Sequence, residues 1–227
     1  MRLDLLLTMI VATFALFAVW PGLDLTVTAA FYDGATFPVA LDARAETVRL
    51  ILWDFAIFVA LVSAGMLAAS LLLRRPVLRL PARVWGLILA LFVLGPGLLV
   101  NGILKREWGR ARPADTINFG GTQQFTPPHD TTGQCASNCS FVSGESAGAM
   151  ALAIALWLIL SAWRAQLPAW AYRAGQALII AIPLITALQR VAAGRHFLSD
   201  TLLASLFIAL LAAILARFIL NRDGPPA

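Results

Sequence analysis

Charged residues, histidine, lysine and cysteine are all scarce in this chain of 227 residues. Only 13% of the residues are charged, and the sequence holds two histidines, two cysteines and one lysine. So little charge excludes the composition of an ordinary soluble domain. The net charge of +5 comes without a basic run, an aromatic RNA-binding signature or a zinc-ligand spacing. Nucleic acid is therefore not an expected partner.

Apolar residues, in contrast, are abundant: 60% of the chain is hydrophobic and the mean hydropathy is +0.81. A hydrocarbon core about 30 Å thick needs roughly 20 apolar residues of helix. The chain has several apolar runs of about this length, which predict an all-α, polytopic membrane protein in which residues 1–227 form one integral membrane domain. The first apolar stretch lacks a small-residue cleavage site and is kept as a span. The six predicted spans lie near 3–20, 48–73, 84–104, 146–163, 173–190 and 198–218.

The distribution of basic residues predicts the orientation. Six spans place both termini on one side of the bilayer, and nine of the 17 basic residues lie on that side, which predicts that it is cytoplasmic. Six of the other eight lie within residues 105–112 and 190–195 on the outer face, where the positive-inside rule does not account for them. They need another explanation, either lipid headgroup contact or a binding site. The nine are Arg2, Arg74, Arg75, Arg79, Arg83, Arg164, Arg173, Arg217 and Arg222.

The predicted outer loop 105–145 carries a long polar stretch, residues 113–142, and both cysteines. Loops of this length are usually functional or disordered. Cys135 and Cys139 stand four apart in "CASNC", with no second pair nearby, so the spacing is weak evidence for zinc. On an extracytoplasmic face a short structural disulfide is favoured over free thiols.

Three clusters on this face carry residues suited to phosphate chemistry. The first is "KREWGRARP", in which Lys105 precedes Arg112 and Pro113. The planar fork of an arginine and the compact charge of a lysine together suit phosphate oxygens. The alternative interpretation is a juxtamembrane stretch whose basic side chains extend to the interface.

The second cluster, "SFVSGESAGAM", lies at the start of the fourth span. Ser143 is a good helix N-cap, Gly144 lets a ligand approach the backbone, and free N–H groups at a helix start attract anions. Glu145 stands in the first turn. It is either an acid or a carboxylate that only stabilises the helix dipole.

The third cluster is "QRVAAGRHFLSD", with Arg190, His196 and Asp200. If the last helix starts near His196, Asp200 lies one turn further along the same face and can bond one imidazole nitrogen. The other nitrogen is then free as a base or nucleophile. A lone histidine with a structural role is the alternative.

The order Lys-x6-Arg-Pro, Ser-Gly with an acid, and Arg-x5-His-x3-Asp resembles the type 2 phosphatidic acid phosphatase superfamily, which shares its site with vanadium haloperoxidases. The resemblance implies a bundle like the lipid phosphatase and haloperoxidase core, and a phosphohistidine intermediate formed on His196, which Asp200 orients. Neither a metal nor another cofactor is expected. The implied phosphate-binding residues are Lys105, Arg112, Ser143, Gly144 and Arg190.

Three positions depart from the family pattern. Val142 stands where the family usually has proline. Glu145 stands where the family usually has the histidine that acts as general acid, and Gln189 replaces the usual serine. Either Glu145 takes the acid role, or His129 reaches in from the loop and Glu145 is a cap. We favour Glu145 because it occupies the position of the acid.

The substrate implied by the resemblance is a lipid phosphate that enters from the outer leaflet of a bacterial inner membrane, with the site facing the periplasm. Arg106, Arg110 and Arg195 lie beside the motifs and could bind a second phosphate or a headgroup, which favours lipid A or a polyprenyl diphosphate. Transfer of the phosphoryl group to a second lipid, or a catalytically silent lipid binder or transporter, are alternatives. No oligomeric state follows from the sequence.

Overall fold

The computed structural model describes residues 2–220. Met1 and residues 221–227, which include Arg222, lie outside this range. Over the described range the regular secondary structure is helical, with isolated β-bridges and no strand, which confirms the all-α prediction. We number the helices α1 (Leu3–Val19), α2 (Gly22–Ala29), α3 (Ala43–Leu73), α4 (Ala82–Glu107), α5 (Gly144–Ala162), α6 (Ala169–Ala192) and α7 (Leu198–Leu220).

Five of these helices, α3 to α7, are long and apolar enough to cross a bilayer. The first two helices are shorter and meet at 85°. Counted together as one broken span they make six, which is the number that the sequence predicts. Pro21 and Gly22 stand at the bend, where proline and glycine commonly interrupt a helix.

Helix α5 lies at the centre of the bundle and packs against α3, α4, α6 and α7. Ala147, Ala151 and Ala155 follow one another at intervals of four and are all buried, so they form a stripe of small side chains. Small residues let neighbouring helices approach closely, which is the usual means of packing inside a membrane. The sequence of α5 therefore places its first turn among the ends of the neighbouring helices.

The connection between α4 and α5 folds over one end of the bundle. The ends of α4 and α6 and the starts of α3, α5 and α7 also lie at this end, because consecutive helices cross the bilayer in opposite directions. Ala114 N donates to Gly194 O at 3.0 Å, which ties the long loop to the short connection between α6 and α7. All three sequence clusters are thereby brought together.

Candidate active site

A cavity of about 360 Å³ opens at this end of the bundle. Five cationic side chains line it against two carboxylates, so the cavity favours an anionic ligand. The cations are Arg49, Lys105, Arg112, Arg190 and Arg195, the carboxylates are Glu46 and Glu145, and the remaining lining residues are Ala40, Trp53, Asn101, Asn138, Gly144, Gln189 and Ala193.

The first turn of α5 forms part of the cavity wall. Ser143 caps the helix, since its Oγ accepts a hydrogen bond from Ser146 N at 3.2 Å. Gly144 follows, and a Cβ at this position would stand 2.9 Å from Asn101 Oδ1 and 3.4 Å from Lys105 Cε. A residue without a side chain is therefore needed for Lys105 to pack against the helix start, where the helix dipole also favours an anion.

His196 lies buried beside the cavity, with 1% of its surface exposed. Its Nδ1 stands 2.7 Å from the carbonyl oxygen of Ser140. A carbonyl can only accept, so this bond requires the proton on Nδ1 and leaves a lone pair on Nε2. Burial, together with the positive charges of Lys105 and Arg112, holds the pKa of His196 well below its usual range. The imidazole is therefore neutral near pH 7 and suited to act as a nucleophile.

Glu145 faces this imidazole. Its Oε1 accepts hydrogen bonds from Arg190 Nη1 at 2.8 Å and from Arg49 Nη1 at 3.0 Å. Its Oε2 stands 3.9 Å from His196 Nε2. The two arginines fix the carboxyl group through Oε1 and leave Oε2 facing the imidazole.

The two cations of the first cluster share one partner, Asn138. Lys105 Nζ donates to Asn138 Oδ1 at 3.0 Å. Arg112 donates from Nε at 3.0 Å and from Nη2 at 2.8 Å to the carbonyl oxygen of the same asparagine. Asn138 belongs to the short loop closed by the disulfide between Cys135 and Cys139, whose Cα atoms are 5.6 Å apart.

The prediction that the imidazole of His196 bonds directly to Asp200 is wrong, because its Nδ1 is bonded to Ser140 O instead. Helix α7 begins at Leu198, after His196, so the i, i+4 geometry of a helix does not relate the two residues. The Oδ2 of Asp200 accepts from Ser140 Oγ at 2.6 Å and from Phe197 N at 3.0 Å. Asp200 is therefore linked to the imidazole ring indirectly, through Ser140, whose carbonyl oxygen accepts from the ring.

Arg110 is not available to a headgroup, contrary to the expectation from sequence. Its side chain is fully buried, with Nη1 donating to Asp200 Oδ1 at 2.6 Å and Nη2 donating to Asp24 Oδ2 at 2.9 Å. The guanidinium also lies 4.4 Å from the ring centre of Phe197. Two buried carboxylates hold this arginine inside the protein, because an unpaired buried charge is costly.

Of the other three residues expected near the motifs, one lines the cavity and two do not. Arg195 lines the cavity and its side chain is exposed, whereas Arg106 is exposed without lining it. His129 has 40% of its side chain exposed and stands 3.5 Å from Asp130. It does not line the cavity.

Four residues of this arrangement had no role in the sequence analysis: Arg49, Asp24, Asn138 and Ser140. The position of Arg49 among the outer-face basic residues was a usable signal. Asn138 and Ser140 lie within and beside "CASNC", but no spacing rule marks them. Asp24 pairs with a residue 86 positions away, which no local pattern indicates.

The assembled groups match the requirements of phosphoryl transfer. They are a neutral imidazole with a free nitrogen, a carboxyl group opposite it, a helix start and a set of cations. Within residues 2–220, no cluster of three or more His, Cys, Asp or Glu side chains could hold a metal ion.

Comparison with known proteins agrees with a site for phosphoryl transfer. The model of the PAP2 superfamily matches residues 83–223. The chain is 32% identical over 220 residues to the Lipid A 4'-phosphatase of Rhizobium leguminosarum, covering 90% of this chain and 91% of the relative. For the Lipid A 4'-phosphatase of Francisella tularensis subsp. novicida the identity is 29% over 216 residues, with 91% of each chain covered.

One solved structure has a similar fold. It is the crystal structure of the first transmembrane PAP2 type phosphatidylglycerolphosphate phosphatase from Bacillus subtilis, with a TM-score of 0.61 and 99% of both chains covered. The sequence identity is 17%, so this likeness shows the fold alone.

Proposed function

Because the chain belongs to the PAP2 superfamily, we propose that this membrane phosphatase hydrolyses a phosphate monoester of lipid A through a phosphohistidine on His196. The observation that carries the mechanism is the geometry of His196, whose Nδ1 is bonded to Ser140 O and whose Nε2 stands 3.9 Å from Glu145 Oε2 beside a cation-lined cavity. The similarity to Lipid A 4'-phosphatases, which extends over about nine tenths of the chain, supports the substrate.

In the first step the phosphate enters the cavity and its oxygens bind Lys105, Arg112 and Arg190, with the N–H groups at the start of α5 adding further donors. These positions support the role because each cation lines the cavity. Arginine and lysine donors in a partly desolvated site bind phosphate more strongly than they do in water.

His196 Nε2 then attacks phosphorus while the bond between phosphorus and the ester oxygen breaks. Glu145, protonated on Oε2, gives that proton to the departing sugar oxygen. The products of this step are the dephosphorylated lipid, a phosphohistidine and an ionised Glu145. In the second step Glu145 takes a proton from water, the resulting hydroxide attacks phosphorus, and the bond to Nε2 breaks, which releases inorganic phosphate and restores both groups.

The position of Glu145 supports it over His129 as the general acid. Its Oε2 is 3.9 Å from the nucleophile, and a phosphoryl group on Nε2 would lie within reach of this carboxyl group. His129 is outside the cavity lining. The five lining cations can neutralise the phosphate charge, so we propose that no resident metal takes part and that a chelator leaves the rate unchanged.

We also propose that the cavity faces the periplasm from a bacterial inner membrane. The turn between α3 and α4 and the turn between α5 and α6 lie at the opposite end of the bundle and carry Arg74, Arg75, Arg79 and Arg164. Such short basic connections are retained in the cytoplasm. The substrate then reaches the cavity from the outer leaflet.

Phosphate release by the protein purified in detergent tests the proposal. The substrates are lipid A, undecaprenyl diphosphate, phosphatidylglycerol phosphate and phosphatidic acid, each assayed with wild type and with His196→Ala, with and without EDTA. We expect lipid A to give the highest kcat/KM and His196→Ala to be inactive. Acid-labile phosphate on wild-type protein after a rapid quench should be absent from His196→Ala.

A different preferred lipid would refute the substrate and leave the mechanism standing. Loss of lipid phosphate to a second lipid without free phosphate would identify a transferase. If His196→Ala releases phosphate as fast as wild type, the mechanism is wrong.

A further inference from the structure

A five-residue loop, closed by the disulfide between Cys135 and Cys139, lies against the phosphate-binding cluster. Cys135 N donates to Gly109 O at 3.1 Å, and Ser140 N donates to Arg110 O at 2.9 Å. Both ends of the loop are thus bonded to the backbone between Lys105 and Arg112. Since the chain has only these two cysteines, a reductant acts on this protein at this bond alone.

Asn138 is the residue through which the loop contacts the site. Its backbone has φ 52°, in the left-handed region that asparagine adopts more readily than most residues. In this conformation Oδ1 accepts from Lys105 at 3.0 Å, while the carbonyl oxygen accepts from Arg112 at 2.8 and 3.0 Å. One neutral residue holds both cations of the first cluster.

These bonds leave the cations able to bind phosphate. A guanidinium has five N–H donors and an ammonium has three, and Asn138 uses two of the former and one of the latter. Asn138 carries no charge, so the positive charge of the pair is not neutralised. The cations are therefore held in place before the substrate arrives, which lowers the entropic cost of binding the phosphate.

We propose that Asn138 is a positioning residue for the phosphate-binding cations and that the Cys135–Cys139 disulfide keeps it in place. The proposal rests on the proposed phosphatase function. Reduction of the disulfide frees the loop, so Lys105 and Arg112 lose their common anchor and phosphate binds more weakly. The nucleophile keeps its own contacts, so the chemical step changes little.

The test measures KM and kcat for lipid A and the inhibition constant Ki for inorganic phosphate. These are compared for oxidised wild type, wild type reduced with dithiothreitol, the double variant Cys135→Ser/Cys139→Ser, and Asn138→Gly, which keeps the left-handed backbone and removes only Oδ1. We expect KM and Ki to rise about tenfold in Asn138→Gly, which loses one hydrogen bond to a charged group, and at least as much in the reduced protein and the double variant, where both cations lose their anchor. In all three, kcat should stay within about twofold of wild type. The double variant should not respond to dithiothreitol.

Two further variants separate positioning from general support. Asn138→Asp places a negative charge beside Lys105, so its Ki for phosphate should exceed that of Asn138→Gly. Asn118→Gly, an exposed asparagine elsewhere in the same outer loop, is the matched control and should behave as wild type.

The outcomes distinguish this inference from the proposed function. If no lipid is cleaved, the proposed function fails, and equilibrium binding of radiolabelled phosphate to oxidised and reduced protein still decides the positioning role. If KM and Ki are unchanged by reduction and by Asn138→Gly, the positioning role is overturned. A fall in kcat and thermal stability at unchanged KM and Ki would make the loop a structural brace and overturn it as well.

Discussion

Replacement of Arg110 by glutamine tests whether this arginine is a buried structural residue or a ligand of the lipid headgroup. Arg110 donates to Asp24 at 2.9 Å and to Asp200 at 2.6 Å, and all three side chains are fully buried. Arg110→Gln leaves two buried carboxylates without their cation. Breaking a buried ion pair by removing one partner costs about 3–5 kcal/mol. We take about 4 kcal/mol for this site, because Ser140 and Ser199 still donate to the carboxylates.

This loss of stability predicts a measurable change in melting temperature. For a chain of this length, 1 kcal/mol corresponds to about 2–4 °C, so Arg110→Gln should unfold about 8–16 °C below wild type in the same detergent. Arg106→Gln is the matched control, since Arg106 is exposed and four residues away. Its Tm should stay within about 2 °C of wild type, as for most surface substitutions.

Kinetics complete the test. Arg110 holds Asp200, and Asp200 holds Ser140, which orients His196, so kcat should fall in Arg110→Gln while KM for lipid A stays near the wild-type value. A protein with wild-type Tm and a raised KM would show that Arg110 contacts the lipid, and the buried network would then be wrong.

Three further predictions concern the cavity. Glu145→Gln should lower kcat by about 10²–10⁴-fold with little change in KM, as measured by phosphate release, because the amide cannot donate the proton of a general acid; a wild-type kcat would exclude this role. Gly144→Ala should raise KM, since the added Cβ would stand 2.9 Å from Asn101 Oδ1 and 3.4 Å from Lys105 Cε and so displace the cavity lining, and an unchanged KM would contradict the close packing. In His129→Gln the remaining histidine is His196, whose pKa is lowered by burial and nearby cations. Its ring resonances, followed by NMR, should therefore stay those of neutral imidazole as the pH falls through 6.5, and a midpoint near 6.5 would refute this.

The apolar runs were enough to predict where most of the long helices lie in the sequence. The span predicted near 198–218 is Leu198–Leu220 in the structure, and the one near 84–104 lies within Ala82–Glu107. A helix must satisfy its own backbone hydrogen bonds inside a bilayer, so length and hydropathy are enough to place it. The exception is the first span, which ends at Val19 and is followed, after a break, by a second helix at 85° to it. Its length of 17 residues is marginal for crossing.

The candidate site, like the fold, was predicted in part from the sequence. Lys105, Arg112, Glu145, Arg190 and Gly144 were all expected from their motifs, and the structure places all five around one cavity. Motif spacing could reveal them because a phosphate needs cations and a helix start in a fixed arrangement.

The partners of these residues could not be read from the sequence. The distance in sequence from Ser140 to His196 is 56 residues and from Asp24 to Arg110 it is 86, and such contacts depend on how helices and loops pack. The helical rule that paired His196 with Asp200 failed because α7 starts two residues after the histidine. Local chemistry and hydropathy thus identified the residues that assemble at the candidate site and the segments that are long and apolar enough to cross a membrane. Tertiary packing alone decided which side chains are buried and paired, since burial and hydrogen bonding are set by neighbours distant in the chain.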